Sequence, residues 1–494
     1  MAILSKIKKG FYQDSLKLMK VSSEIGELTN VKQAFSFMAT EINKKTRVQD
    51  SLMDEDVRLA EADDLILIVE ADDLETAINA MDEFEKRIIL GSNKQENNIN
   101  SFDSLPKTIE QGLEIIDGNI AVISVPGTYA IVQAYNALNH GLNVMLFSDN
   151  VSIEDEVKIK DYALEKNLIV MGPDCGTAII NGTPLCFANN VMNGNIGIIG
   201  ASGTGTQELT IQLDSIGCGI SHAIGTGGRD LSKEVAGRTT LSALSMLKND
   251  VKTEIIAIVS KPPSPSVAEK VIDAVKESGK SAVLAYLGST SRKVSKNIFV
   301  VGTIEEAVAK IHALSKGLNP DEAKVLYERT SFDYLNSFNL QSSQKKVKGL
   351  FTGGTLASEA KYILTGVESE IIDLGDDEYT SGALHPMIDP SNRNRFVEQA
   401  FRDENVGLIL CDVVLGLGSH PDPASELVMA INNAKSHSNQ EKIVIASVIG
   451  TDKDPQVKSQ QVRILEEAGV LVFPSNQYAA EVAASLARRL QGEE

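Results

Sequence analysis

The chain has 494 residues, 43% of them hydrophobic and 23% charged, and a net charge of −20. That balance excludes a basic surface for tracking nucleic acid, and no apolar run reaches the roughly 18 residues of a membrane span. At about 100–200 residues per domain, the length predicts three or four domains. With no Trp and 5% aromatics, their cores must rest on Ile, Val, Leu and Ala, which suits α/β layers.

Residues 1–110 read as a small α+β domain. The segment VSSEIGEL (21–28) offers a short strand and turn, and 31–42 a helix–strand crossing. LILIVEA (65–71) is a buried strand, and the following helix places Leu74, Ile78, Met81 and Phe84 at helical spacing. The polar stretch 91–104 has linker composition. From about residue 115 the pattern becomes β–α–β: strands at NIAVISVP, NVMLFSD, LIVMGP, NIGIIGA, ISHAIG, TEIIAIVSK, SAVLAYLG and NIFVVG, most followed by amphipathic helices. Such alternation predicts doubly wound parallel sheets. Residues 315–346 read as a linker carrying one helix. A last α/β unit then starts at KVKGLFTGGT. Two βα turns, GIIGASGTGTQE (197–208) and GLFTGGTLASEA (349–360), are loosely alike.

The loops after these strands hold the candidate chemistry. Ser202, Gly203, Thr204, Gly205 and Thr206 sit between a strand and a helix. Free amides at a helix start bind anions, and glycines admit a phosphate to the backbone. The Lys of a Walker A loop is missing, and a capped structural turn is the alternative. Gly227, Gly228 and Arg229 follow another strand, where Arg229 either grips a carboxylate or phosphate or pairs with Asp230 on the surface. Lys261, in SKPPSPS, either reaches an anion or is solvated. Cys175, in GPDCG, lacks a neighbouring His to activate it. It reads, with Cys186, Cys218 and Cys411, as a buried thiol in a reducing cytosol.

In the last unit Gly353, Gly354 and Thr355 form a second small-residue turn. His385, Arg393 and His420 lie in turn-rich segments, where either His is a candidate acid or base. The consecutive acids Asp376, Asp377 and Glu378 cannot all face one ion, so no metal is expected.

Together these blocks resemble the FdrA family. The matching segments are GPDCGTAI (172–179), GIIGASGTGTQE (197–208), SHAIGTGGRDLS (221–232), VSKPPSP (259–265), GLFTGGTLASEA (349–360), DLGDDEYTSGALHPMIDPSNRN (373–394) and DVVLGLGSHPDPA (412–424), with MATEINK (38–44) near the start. More distantly the layout is similar to succinyl-CoA synthetase. The resemblance implies an α/β protein in four parts. These are a ferredoxin-like α+β domain over 1–110, a CoA-binding-like Rossmann domain over 111–190, a flavodoxin-like domain resembling the synthetase α subunit over 191–330, and a flavodoxin-like CoA-ligase-like domain resembling the β subunit over 345–494. One departure matters. The synthetase α subunit carries a phosphorylated His in a GHAGA segment, whereas this chain has no His between His222 and His312.

The family resemblance implies the large subunit of oxamate carbamoyltransferase, acting on carbamoyl phosphate and oxamate with no cofactor. It further implies a cytoplasmic homodimer in complex with other transferase subunits, with no nucleic acid and no membrane. On that reading residues 202–206 hold the phosphate, Arg229, Lys261 or Arg393 orients the carboxylate, and His385 or His420 is the base. Two alternatives stand beside it: an acyl-CoA synthetase or CoA transferase binding CoA over 115–190, and a scaffold subunit without activity.

Overall fold

The computed structural model describes the chain apart from residues 1, 12, 14, 27, 41–42, 45–54, 91–105, 326, 330–337, 339, 381–383, 439 and 493–494. The linker expected at 91–104, the core of the one expected at 315–346 and part of the 38–44 segment therefore lie outside the described residues. Contacts divide the chain into two compact units, Met1–Lys107 and Thr108–Glu494.

In the first unit, strands Ala2–Lys8 and Val31–Met38 flank Leu65–Ala71 in an antiparallel sheet. Helices Ser15–Gly26 and Leu74–Leu90 bury one face, with Leu18, Val21, Ile25, Phe84 and Ile88 against Leu65, Leu67 and Val69. Ile66 and Ile68 pack on the other face, against Phe37 and Val57. The central strand is thus apolar on both sides, which explains its continuous hydrophobic run. Three expectations are corrected. VSSEIGEL is mostly helix, because Leu18, Val21 and Ile25 fall on one helical face; 31–38 is strand throughout. Leu74 and Ile78 are exposed, since the buried stripe of their helix runs through Ala77, Ala80, Met81, Phe84 and Ile88 instead.

Among the described residues the second unit contains three sheets. Ile120–Ile123, Asn143–Leu146 and Val170–Met171 form a small parallel sheet, with helices Gly127–Asn139 and Ile153–Glu165 packed on it. A five-stranded parallel sheet runs in the order Ser369–Asp373, Lys346–Phe351, Val406–Val414, Ile443–Ile449, Leu471–Phe473. Numbered along the chain, that is the 2-1-3-4-5 order of flavodoxin-like folds. The eight-stranded sheet contains the same order, in Ile220–Gly225, Asn193–Ala201, Ile255–Ser260, Ser281–Tyr286 and Ile298–Val301. The strand Arg292–Ser295 extends it at one edge and the hairpin Thr177–Ile180/Thr183–Cys186 at the other. The fold is therefore α/β, with flavodoxin-like doubly wound sheets as expected. The two βα turns noted in the sequence are the first βα turns of these two like sheets.

Candidate functional site

In open α/β sheets a ligand binds beyond the carboxyl ends of the strands, where the strand order reverses. In both five-strand orders that place lies between the first and third strands. The two first turns meet there. Ser202 Oγ donates to Thr355 Oγ1 at 2.5 Å. A Cβ on Gly353 would lie 2.6 Å from Thr204 Oγ1, and one on Gly205 would lie 2.9 Å from Thr355 Cγ2. Helices Gly203–Ser215 and Gly354–Ile363 thus bring their N-termini together at a cavity of about 640 Å³.

Four amides begin each helix without an intrahelical acceptor. In the first, Ser202 Oγ accepts from Gly205 N at 2.9 Å, leaving the Gly203 and Thr204 amides at the cavity. In the second, the cap is remote. Asp412, buried in the strand Val406–Val414, accepts Thr352 N at 2.7 Å and Gly353 N at 2.8 Å. Burial pushes its carboxyl up to about 6, against the pull of those amides and of Arg393. Gly354 and Thr355 start the helix beyond it. Aligned dipoles and open amides from two helices favour a phosphate-sized anion.

Charged groups frame the cradle. Lys261 and Asp373 both approach Gly354, where a Cβ would stand 3.4 Å from Lys261 Nζ and 2.3 Å from Asp373 Oδ2. Burial raises the Asp373 carboxyl, and the Lys261 ammonium opposes that rise. Arg229 lines the cavity with its guanidinium held by Val151 O at 2.8 Å and Glu156 Oε2 at 3.0 Å. His385 is enclosed, and burial pushes its imidazole down to about 4. Its Nδ1 accepts from Met387 N at 3.2 Å, so Nε2 carries the proton, beside Gly375.

Several expected site residues stand elsewhere. Gly205 packs on Ser202 and Thr355, and Thr206 Oγ1 donates to Ser202 O at 2.5 Å, so both face inward. Gly227 takes positive φ and meets Pro173 O, leaving Gly228 and Arg229 at the cavity. Asp230 is fully buried and bonds Lys160 at 2.8 Å rather than pairing with Arg229 at the surface. Arg393 is buried behind the second turn, its Nη1 on Asp412 O at 2.9 Å, where it cannot meet a carboxylate substrate. His420 does not line the cavity; its Nδ1 accepts from Asp422 N at 3.2 Å. Burial pushes the Cys175 thiol up to about 12, so it supplies no thiolate nucleophile. Ser202, Gly203, Thr204, Gly228, Arg229, Lys261, Gly353, Gly354, Thr355 and His385 do line the cavity.

Sequence reading missed Thr177, Gln207, Asp373 and Asp412. The first three line the cavity and the last supports it. Asp412 had one signal, a lone acid inside the apolar strand VGLILCDVV.

Known families place this architecture in a class. The family described as a CoA-ligase matches residues 350–486, and the one described as a CoA binding domain matches 192–288. The family described as "AllF, heavy metal-associated domain" matches 1–102. That segment contains neither Cys nor His, so its residues do not suit a heavy-metal site. The second unit thus combines segments that resemble the CoA binding domain and CoA-ligase families, in a fold like that of succinyl-CoA synthetases.

The chain belongs to the family of the uncharacterized protein YahF of Escherichia coli (strain K12), with which it is 40% identical over 96% of this chain and 97% of that protein. The α subunit of the ADP-forming succinate–CoA ligase of Aquifex aeolicus is 27% identical, covering 42% of this chain and 70% of its own length. The dinucleotide-forming acetyl-coenzyme A synthetase 1 of Ca. Korarchaeum cryptofilum aligns over 80% of this chain and 90% of its own, at 16% identity and a TM-score of 0.35. No helix among the described residues is long and apolar enough to cross a membrane.

Proposed function

We propose that the chain catalyses acyl transfer between an acyl phosphate and an acceptor, in the manner of acyl-CoA synthetases, with the phosphate held between the two helix N-termini. The observation that carries this reading is the meeting of Gly203–Thr204 and Gly354–Thr355 at one cavity beside Lys261. The acceptor attacks the acyl carbon and the bond to the phosphate oxygen breaks. The leaving phosphate keeps the contacts that held it in the acyl phosphate, a mixed anhydride, and these strengthen as its charge grows; once it receives the proton taken from the acceptor, it departs as the dianion. Asp373, already raised by burial, is the group that takes the acceptor's proton. His385, neutral and protonated at Nε2, donates to the acyl oxygen rather than serving as base. Its engaged Nδ1 also argues against a phosphohistidine, so the acyl phosphate is handled directly. Ser124, Asn150 and Arg229, which line the same cavity, would hold the acceptor, which in the ligase relatives is coenzyme A.

A second acceptor is supported by the resemblance to the FdrA family. Residues from six of its seven segments in this unit, 172–179, 197–208, 221–232, 259–265, 349–360 and 373–394, line this one cavity. On that reading the acyl phosphate is carbamoyl phosphate and the acceptor is oxamate, in a complex with further subunits. Titration calorimetry with inorganic phosphate tests the cradle. Binding should be weakened at least tenfold by Gly354→Ala, and equal affinity in both proteins would sink the reading. Phosphate release from acetyl or carbamoyl phosphate, with CoA or oxamate as acceptor, then separates the two reactions.

A further inference from the structure

Several polar atoms around the cavity have partners within the chain. Ser202 Oγ is engaged twice, Asp373 Oδ1 accepts Gly375 N at 3.1 Å, and Arg229 is tied back to Val151 and Glu156. Thr177 Oγ1 and Gln207 Oε1 differ. Both residues line the cavity and both atoms are buried, yet among the described residues neither has a hydrogen-bond partner. Leaving such a group unpaired is costly, so each points to something that completes it.

The surroundings fix what that something must offer. Gln207 Nε2 faces three acceptors, Phe187 O at 2.7 Å, Leu415 O at 3.0 Å and Asn189 Oδ1 at 3.1 Å. The amide cannot be turned over without setting its oxygen against all three, so Oε1 is a fixed acceptor. Thr177 Oγ1 lies 3.7 Å from where a Cβ on Gly203 would stand, at the edge of the cradle. Gln207 is on the second turn of the same helix. Both residues line the cavity beside the turn that starts this helix, and an acyl group joined to the cradled phosphate is taken to lie against them. Phe187 closes that space; its ring lies 6.1 Å from the His385 ring and 5.3 Å from Phe147.

We infer that Gln207, assisted by Thr177, is a specificity-determining acceptor that selects acyl groups carrying an N–H or O–H donor beside the carbonyl over alkyl acyl groups of the same shape. A methyl group placed there would leave Gln207 Oε1 unpaired, whereas an amino or hydroxyl group satisfies it. The inference rests on the phosphate cradle proposed above.

The test uses phosphonoacetamide and 2-oxopropylphosphonate, stable phosphonates that differ only by NH2 against CH3, with inorganic phosphate as reference. Titrated into the full chain, phosphonoacetamide should bind at least about tenfold more tightly than its methyl counterpart. Thr177→Val removes a hydroxyl that bonds nothing in the protein, so the fold should be kept while the preference falls. Gln207→Met should abolish the preference, and in both variants the affinity for inorganic phosphate should stay within about twofold. A wild type that binds phosphate but does not discriminate overturns the inference alone, as does an unchanged ratio in both variants, which would mean that water fills the site. Failure of inorganic phosphate to bind the wild type overturns the cradle itself, and with it this inference.

Discussion

The first βα turns of the two flavodoxin-like sheets occupy equivalent places and face each other, yet they are held by different means. The turn at 202–206 caps itself, because Ser202 bonds an amide three residues on. The turn at 352–355 is held by Asp412, sixty residues away, whose carboxylate takes the two amides before the helix. Farther along the helices the likeness returns. Glu208 and Glu359 each stand five residues after the helix start, and both are bound by Asn476, through its main-chain N at 3.0 Å and its Nδ2 at 2.8 Å. One residue thus links the two helices behind the cradle. The difference teaches that a local cap leaves a turn independent of the rest of the sheet, whereas a remote cap makes its shape depend on the neighbouring strand.

The sharpest way to break this comparison is Asp412→Ala. It removes the acceptor for both amides and leaves Arg393 buried beside an uncapped turn. Losing one partner of such a buried charged network should cost roughly 3–5 kcal/mol, read as a large fall in Tm, and phosphate binding should be lost with it. A Tm shift no greater than that of Ser202→Ala would show that the remote cap is not special.

Next in size is a pH effect. Burial, with help from the nearby Glu208 and Glu305, pushes the Glu359 carboxyl up to about 7 from an ordinary 4.5. A raised folded pKa means that the native state holds the proton more tightly than the unfolded chain. Its contribution is therefore complete below about pH 4.5 and is lost as pH rises through 7, a change of roughly 3 kcal/mol. Denaturant unfolding across that range should show the slope in the wild type and a flatter profile in Glu359→Gln. Smaller again is Gly353→Ala, whose methyl would press on the Thr204 side chain. It should cost about 1–3 kcal/mol, and Thr204→Gly in the same chain should recover part of the loss; strictly additive effects would contradict close contact.

The same contrast explains what the sequence disclosed. Most strands and helices of 115–301 and 346–491 were legible because continuous Val, Ile and Leu runs alternate with helical spacing, whereas the hairpin Thr177–Ile180/Thr183–Cys186 and the strands Arg292–Ser295 and Ser369–Asp373 were not read; the turn at 202–206 was legible because a local cap writes its signal within three residues. Asp412, Gln207 and Thr177 were not legible as site residues. Each acts through a partner or a space that only the folded chain brings near. Arg393 was misjudged for the converse reason: an Arg in a turn-rich segment suggests a ligand grip, and nothing local shows that its helix turns it inward to a strand carbonyl. In the first unit, VSSEIGEL hid its helix because the apolar partner of Val21 and Ile25 is Leu18, before the segment's start.

The smallest effect tests whether the two turns are one cradle. Ser202→Ala removes a cap worth about 1 kcal/mol, and also the hydroxyl that donates to Thr355. Thr355→Val removes that same link from the other side while leaving the Ser202 cap intact. If the turns act as a unit, the double variant should be less destabilised than the sum of the singles, with a coupling of about 0.5 kcal/mol or more by unfolding. The phosphate affinity of either single variant should then fall nearly as far as that of the pair, because one broken link already parts the two helix ends. Independent losses in both measurements would mean that each helix end holds its anion alone.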